Sequence, residues 1–324
     1  MFGYRPDGKK LRDIDPIQRI IPHIMRHRHD SMIFLTVDLP CEPFDEFIKK
    51  ESAAGNGEYD YMHIIIAGLV RIIANYPRLN RFVMNGRLFK RNAITISFVV
   101  RKGMSAEAPD TTVKLEFTGH ETLAEVRDKI NAVIAANNNL DADNGTDKIA
   151  RLITFTPNVI IAMLIGFIKF LDKHGMLPKA IINLSPFHTT AFITNMKSIK
   201  SPSIYHHVYD FGTTGMFFSM GKEAMVPVVS GNQVVPGKRL PFKIVTDERF
   251  CDGFYFSSAL RVLKKYYAHP GVLKEPLEEL ADDVTVIDRH SFKKSNRGEG
   301  ACPLGGLGSQ RESLPSTQKE VTHK

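Results

Sequence analysis

The densest chemistry in the chain falls between residues 243 and 254, Lys-Ile-Val-Thr-Asp247-Glu248-Arg249-Phe250-Cys251-Asp252-Gly253-Phe254. Three carboxylates, a guanidinium and a thiol stand within six residues. They sit where a strand pattern meets a helical one. Phe242, Ile244 and Thr246 alternate with Lys243, Val245 and Asp247, Asp252-Gly253 reads as a tight turn, and Phe254, Leu260, Val262 and Leu263 belong to an apolar helix face. Charged groups at the junction of a buried strand and a helix cost energy unless paired, so such a junction is either a reactive site or a salt-bridged corner. Two other groups have chemical potential. His206 and His207 are adjacent, so on a strand they point to opposite faces and at most one faces a given site; the plain alternative for each is a satisfied structural histidine. The run Arg26-His27-Arg28-His29 reads as a solvated cationic face, and no carboxylate spacing suggests a metal site.

Several elements must position this junction. Asp15-Pro16 opens a helix as N-cap and first-turn proline, with Ile17, Ile20, Ile21, Ile24 and Met25 on an apolar face and Pro22 expected to kink it. Residues 31–39 alternate as a strand. Residues 58–76 form a strong helix pattern ended by Pro77, and Asn85-Gly86 marks a hairpin. Residues 94–101 and 112–117 read as strands, and Thr122 with Glu125 as a capping box that opens the next helix. Residues 137–145 are loop. Residues 179–184 and 190–195 read as strands, and a Gly231-Asn232 turn joins two more before the junction strand.

The junction resembles the signature of the chloramphenicol acetyltransferase and dihydrolipoyl acyltransferase superfamily, His-x-x-x-Asp-Gly at a strand end. Cys251-Asp252-Gly253-Phe254 matches the chloramphenicol branch letter for letter, and Asp247 and Arg249 match the Asp-His-Arg of the dihydrolipoyl branch. Glu248 occupies the place of the catalytic histidine. Weaker motifs follow in the right order: Ile17-Gln-Arg19-Ile-Ile resembles the arginine-bearing opening helix, Asn75-Tyr-Pro77-Arg-Leu-Asn80 resembles His-Pro-x-Leu-Asn, and Ile193-Thr194-Asn195-Met196 resembles Ile-Ser-Asn-Leu. The likeness covers roughly residues 10–290. It implies an α/β fold, a two-layer sandwich with a mixed, largely antiparallel sheet. It also implies a homotrimer with the site at the subunit interface, one protomer bringing the signature loop and its neighbour the opposite wall.

The same likeness implies coenzyme A as co-substrate and no metal, with acyl-coenzyme A and a small-molecule thiol or hydroxyl acceptor as partners. Glu248 stands where the base would be, and Thr194 keeps a hydroxyl where the family steadies its oxyanion; a threonine on a strand edge is the equal alternative. Asp252 is implied to be structural, paired with Arg19 from the opening helix or with its rival Arg249, and Gly253 to permit the tight turn. A carboxylate is a poor match for the base, since ~4.3 against ~8.5 for a thiol leaves the transfer uphill by about 5.7 kcal/mol. Burial at the strand end would raise Glu248 and narrow that gap, and His206 or His207 is the alternative base. Three readings stand: an active acyltransferase, a non-catalytic acyl-coenzyme A-binding or trimeric scaffold protein, and a membrane-surface protein.

The third reading rests on residues 153–171, the most apolar segment. Its length is close to the ~20 residues of a membrane span, but Pro157, Asn158 and Lys169 interrupt it, so a core or interface helix is expected, with monotopic lipid contact the remaining alternative. The net charge of +8 suits anionic partners such as a phosphorylated cofactor, while the scattered basic residues and the lack of Trp exclude a nucleic-acid surface. Three cysteines without CxxC spacing and a charged first thirty residues point to a cytoplasmic protein. With barely a dozen residues before the first helix, no lipoyl arm is expected to precede it. Residues 1–290 are expected to form the acyltransferase-like domain. Residues 291–324, rich in Gly, Ser, Pro and alternating charge, are expected to be a disordered tail. Deleting residues 291–324 should therefore leave the melting temperature nearly unchanged in a thermal denaturation scan, and a drop of more than a few degrees would show that the segment docks.

Overall fold

The computed structural model describes residues 4–12, 14–102, 110–137 and 156–283. A two-stranded ladder, β1 (Tyr4–Arg5) and β2 (Gly8–Lys10), precedes α1 (Pro16–Ile24). The Asp15 carboxylate accepts the Ile17 N–H at 2.7 Å, capping α1 as its sequence demands. β3 (Met32–Pro40) leads into α2 (Glu42–Ala53), a charged helix that holds to the core by Phe44 and Phe47. α3 (Tyr61–Asn75) is buried from Tyr61 to Ala74 and is opened by a reciprocal box between Asp60 and His63. β4 (Arg81–Met84) and β5 (Arg87–Arg91) form the expected hairpin, with Asn85 and Gly86 both left-handed at φ 51° and 67°. β6 (Ile94–Arg101), β7 (Asp110–Phe117) and α4 (Leu123–Asn137) follow, the last opened by the Thr122–Glu125 box. Then come α5 (Asn158–Lys173), α6 (Lys179–Leu184), β8 (Ala191–Asn195), β9 (Met216–Met220), β10 (Ala224–Ser230), β11 (Gln233–Asp247) and α7 (Gly253–Ala268).

The main sheet has seven strands in the order β10-β11-β9-β8-β6-β7, with β3 also paired to β11. The β6–β8 and β8–β9 pairings are parallel and the others antiparallel, so the sheet is mixed and largely antiparallel. Alternation gives β11 two apolar faces. Phe242 and Ile244 face a large core built with α2, α3, α4 and α7, while Val245 joins Phe192, Phe217 and Val208 on the opposite face. A second sheet, β1-β2-β5-β4, stands apart from the first. It carries stacked Phe82 and Phe89 rings, with the Arg5 and Arg91 guanidinia over them. Arg5 also reaches across to α5, donating to the Asp172 carboxylate at 2.7 Å and to its carbonyl at 2.6 Å. The buried His188 ring lies 3.1 Å from the other oxygen of Asp172.

Several expectations are corrected. Residues 179–184 are a helix, not a strand: Pro178 precedes its first turn, and Ile182 alone turns inward rather than every second residue. Residues 201–209 run irregularly across the outer face of the sheet, so His206 and His207 are not strand neighbours. The apolar face of α1 is not buried, since Ile17, Ile20 and Ile24 are exposed. The segment read as a core or interface helix contains α5, whose only buried residue is Asp172, so the core alternative is the one that fails. Residues 138–145 of the expected loop, residues 153–155 and the expected tail at 291–324 lie outside the described residues.

The helical layer is registered by one close approach. Tyr267 of α7 is buried and donates its hydroxyl to the Ile65 carbonyl at 3.0 Å. A Cβ on Gly68 would stand 2.4 Å from the Tyr267 ring. Gly68→Ala should therefore lower stability by about 1–3 kcal/mol in urea unfolding, the usual cost of overpacking a core, and a neutral result would show that α3 and α7 can slide apart.

Candidate active site

The junction is organised by Asp247, the last residue of β11. Its carboxylate is almost fully buried and is gripped by Arg249, which donates from Nε at 2.8 Å and from Nη2 at 2.6 Å, each to a different oxygen. The Arg249 backbone N–H and the Ser31 hydroxyl add bonds to the same oxygen at 3.1 and 3.0 Å. Arg28 approaches from the other side, with Nε 3.9 Å from Asp247. The Arg28 guanidinium is buried too, donating to the carbonyls of Tyr209 and Gly212, each at 2.8 Å. Burial pulls Arg28 below the usual guanidinium range, and Asp247 opposes that shift. Arg249 finally donates to the Met25 and Arg26 carbonyls at 3.3 and 3.2 Å, tying the signature to the end of α1. One buried carboxylate stands between two buried guanidinia, with carbonyls accepting from Arg28 Nη1 and Nη2 and from Arg249 Nη1, while Arg28 Nε is left without a hydrogen-bond partner among the described residues. The chain leaves this corner with Glu248, whose N–H is held by the Ser31 carbonyl at 2.9 Å.

The residues singled out in the sequence divide into those this corner collects and those it does not. Glu248 is exposed in the single copy, so the burial on which its role as the base depends is not supplied by its own protomer. Arg249 turns back onto Asp247 and is not the partner of Asp252. Asp252 does not pair with Arg19, because Arg19 is exposed on α1 while Arg78, within the motif Asn75–Asn80, approaches Asp252 at 3.6 Å. Asp252 is itself exposed and acts as the N-cap of α7, accepting the Tyr255 N–H at 2.9 Å. Gly253 begins that helix without positive φ and with open space around it, so the turn does not require glycine there. The neighbouring Cys251 is buried, and burial pushes its thiol up to about 12, which leaves it inert as a nucleophile.

Thr194 lies far from Glu248. It is level with Ser219 on β9, which pairs with Lys243 on β11. Five residues of strand then separate it from Glu248, about 16 Å along β11, and two strand spacings, about 10 Å, lie across the sheet. Its hydroxyl makes only a weak contact with the Met196 sulfur at 3.7 Å. His206 stacks on Phe217 at 4.1 Å and donates from Nδ1 to the His207 carbonyl at 2.9 Å, and burial holds its pKa below the usual imidazole value. Phe217 pairs with Val245, three residues before Glu248, so His206 is about 10 Å from it along the strand and structurally engaged. His207 is exposed.

The reading of Arg26–His29 as a uniformly solvated face misses Arg28, which is buried at the corner; its signal lies in Asp210 and Gly212, far away in sequence. His27 and His29 are exposed, stack at 5.1 Å, and with Asp210 place three potential ligand atoms within 4.8 Å of one another. Asp210 also accepts the Arg28 N–H at 3.0 Å. None of three cavities is lined by the corner. One is a void of about 20 Å³ inside the core under α7. One is an open groove beside α4. The third, about 250 Å³, is lined by Arg91, Lys114, Lys179 and His188 together with Asp7 and Glu116. Burial lowers Lys114 there to about 8 and Arg91 to about 9.

The two signature aspartates should therefore respond very unequally to amidation. Asp247→Asn leaves Arg249 and Arg28 buried without their counter-charge and should cost about 3–5 kcal/mol in urea unfolding. Asp252→Asn keeps a capping side chain and loses only an exposed ion pair, so its effect should stay within about 0.5 kcal/mol. The reverse ranking would mean that the corner is assembled around Asp252.

No protein-family model and no curated protein sequence matches the chain. Its architecture is nevertheless shared with solved structures. A probable dihydrolipoamide acetyltransferase from Listeria monocytogenes superposes with a TM-score of 0.51 at 11% identity, covering 84% of this chain and 98% of that one. The dihydrolipoamide acetyltransferase of Azotobacter vinelandii gives 0.51 at 11% identity, over 81% of this chain and 94% of the other. The cubic core of a pyruvate dehydrogenase multienzyme complex gives 0.51 at 10% identity, over 82% and 94%. With the mixed sheet, the helical layer on one face and the signature corner at the end of β11, the chain has the fold of the coenzyme A-dependent acyltransferases.

Proposed function

We propose that this chain binds acyl-coenzyme A and transfers its acyl group to a thiol or hydroxyl acceptor, at a site that two copies of the chain complete together. The observation that carries this reading is the placement of Glu248. A locked, buried Asp247–Arg249 pair holds the following residue out of the protomer, and Thr194 sits on the sheet well away from it. In the proposed assembly, a homotrimer, Glu248 of one copy faces Thr194 of its neighbour. Glu248 then accepts the proton of the acceptor group as that group attacks the thioester carbonyl. The Thr194 hydroxyl donates to the oxyanion, and the intermediate collapses with coenzyme A thiolate leaving. This reading requires a neighbouring copy to close over the exposed Glu248, because a solvated carboxylate leaves transfer from a thiol uphill by ~5.7 kcal/mol. The net charge of +8 suits the phosphates of coenzyme A.

A second reading, binding without transfer, is favoured by the exposure of Glu248 in a single copy. The two separate cleanly. Under the first, Glu248→Gln should cut thiol release from acyl-coenzyme A by ~10²–10⁴, and Glu248→His should retain or raise it. Under the second, wild type and Glu248→Gln should both be silent while calorimetry still registers acetyl-coenzyme A binding. Equal activity in wild type and Glu248→Gln would remove Glu248 as the base, and no binding of coenzyme A by calorimetry would remove both readings.

A further inference from the structure

α5 is attached to the protein in a one-sided way. Its C-terminal end is clamped by the Arg5–Asp172–His188 cluster, and the rest of the helix buries nothing fully. Val159, Ile160, Met163, Leu164, Phe167 and Phe170 are all exposed, Val159 at 71% and Phe167 at 58%. At about 100° per residue these six side chains occupy one continuous arc of about 140°. The half-buried Ile161, Ile165 and Ile168 occupy the adjoining arc, toward the protein, and the half-buried Leu171 lies near that edge of the exposed arc, beside the Asp172 clamp. The remaining arc carries Lys169 and Lys173, both exposed, beside the open apolar face. Downstream, Met176, Ile181 and Leu184 are exposed as well, and so is Lys179.

Charge on this segment has one sign. From residue 156 to residue 184 the only carboxylate is Asp172, and it is buried and neutralised by Arg5. The surface therefore offers an apolar stripe, three lysines and no anion. We propose that residues 158–184 are a docking surface for an anionic lipid bilayer. The helix lies in the plane of the interface, with its apolar arc at the acyl boundary and its lysines among the headgroup phosphates. It does not cross. Sixteen residues rise about 24 Å, short of the ~30 Å hydrocarbon core, and no described helix is long and apolar enough to span a membrane. A second copy of the chain fits the surface less well. Between residues 156 and 184 the only carboxylate is the buried Asp172, so an α5–α5 contact offers these lysines no anion to pair with, whereas lipid phosphates do. The Asp172 clamp fixes the helix to the small sheet, so binding seats the whole protein at the lipid surface rather than tethering it by a loose segment.

The test is flotation of the full chain with phosphatidylcholine vesicles made with and without phosphatidylglycerol. The wild type should float with the anionic vesicles, remain behind with the neutral ones, and be released by high salt or alkaline carbonate. Phe167→Glu, at an exposed position where folding is undisturbed, should reduce vesicle partitioning at least about tenfold. Lys169→Glu and Lys173→Glu should each weaken it about fivefold or more, and only for the anionic vesicles. Because the chain has no Trp, Phe167→Trp supplies a lone reporter whose emission should shift to the blue on adding anionic vesicles. Circular dichroism confirms that each variant is folded. The proposal is overturned if the wild type fails to float, if Phe167→Glu floats as well as wild type, or if carbonate leaves the protein in the membrane fraction. It is overturned equally if light scattering shows Phe167→Glu dissociating an oligomer while wild type ignores vesicles, which would assign the face to a second copy.

Discussion

The buried pairing of Asp247 with Arg249, braced by Arg28, is the constraint on which the candidate site depends. It ends β11, turns the chain toward α7 and pins the residues after α1, all through one carboxylate. A buried ion pair contributes little net stability by itself, because desolvation consumes most of the Coulombic gain, but losing either partner is expensive. The effect is therefore geometric. Glu248 has no freedom to fold back into the protomer, since its N–H is bonded to Ser31 and both its neighbours are buried. The corner fixes where a reacting group would be presented and supplies none of the proton transfer.

That division explains why the single chain looks incomplete as a catalyst. The helical layer and the large core hold β11 between β3 and β9 in the main sheet, while residues 201–209 run over its outer face, with Val208 and Tyr209 against Phe192, Phe217 and Val245. Thr194 and the signature corner belong to well-separated parts of that sheet. The site proposed between copies would bring them together without moving either strand. The exposed apolar arc of α5 is a different surface, with its own charge pattern. The Arg5 clamp that anchors it belongs to the small sheet rather than to the signature corner.

Much of the fold was legible in the chain because its signals are local. Asp15 ahead of Pro16, Thr122 three residues before Glu125, and Asn85-Gly86 between apolar runs each satisfy backbone groups within one turn, and all appear in the structure. The period-two run of residues 242–247 placed the signature at a strand end, where it is. Residues 179–184 misled because a short apolar run suits strand and helix equally, and the choice was made by Pro178 and by one inward contact at Ile182.

By itself the sequence determined most of the strands and the capped helices, the mixed sheet implied by its motifs, and the placing of the charged motif at the end of β11. Only the tertiary structure decided which charges are paired. Arg28 looks solvated among its cationic neighbours, yet it is buried against residues more than 180 positions away. Asp252 looks like the buried partner of an arginine, yet it is an exposed helix cap, while Asp247 has the guanidinia. The physical reason is common to both. Capping and strand alternation depend on neighbours in sequence, whereas desolvation and ion pairing depend on which distant elements close over a side chain, and adjacent carboxylates in one motif give no local sign of which will be covered.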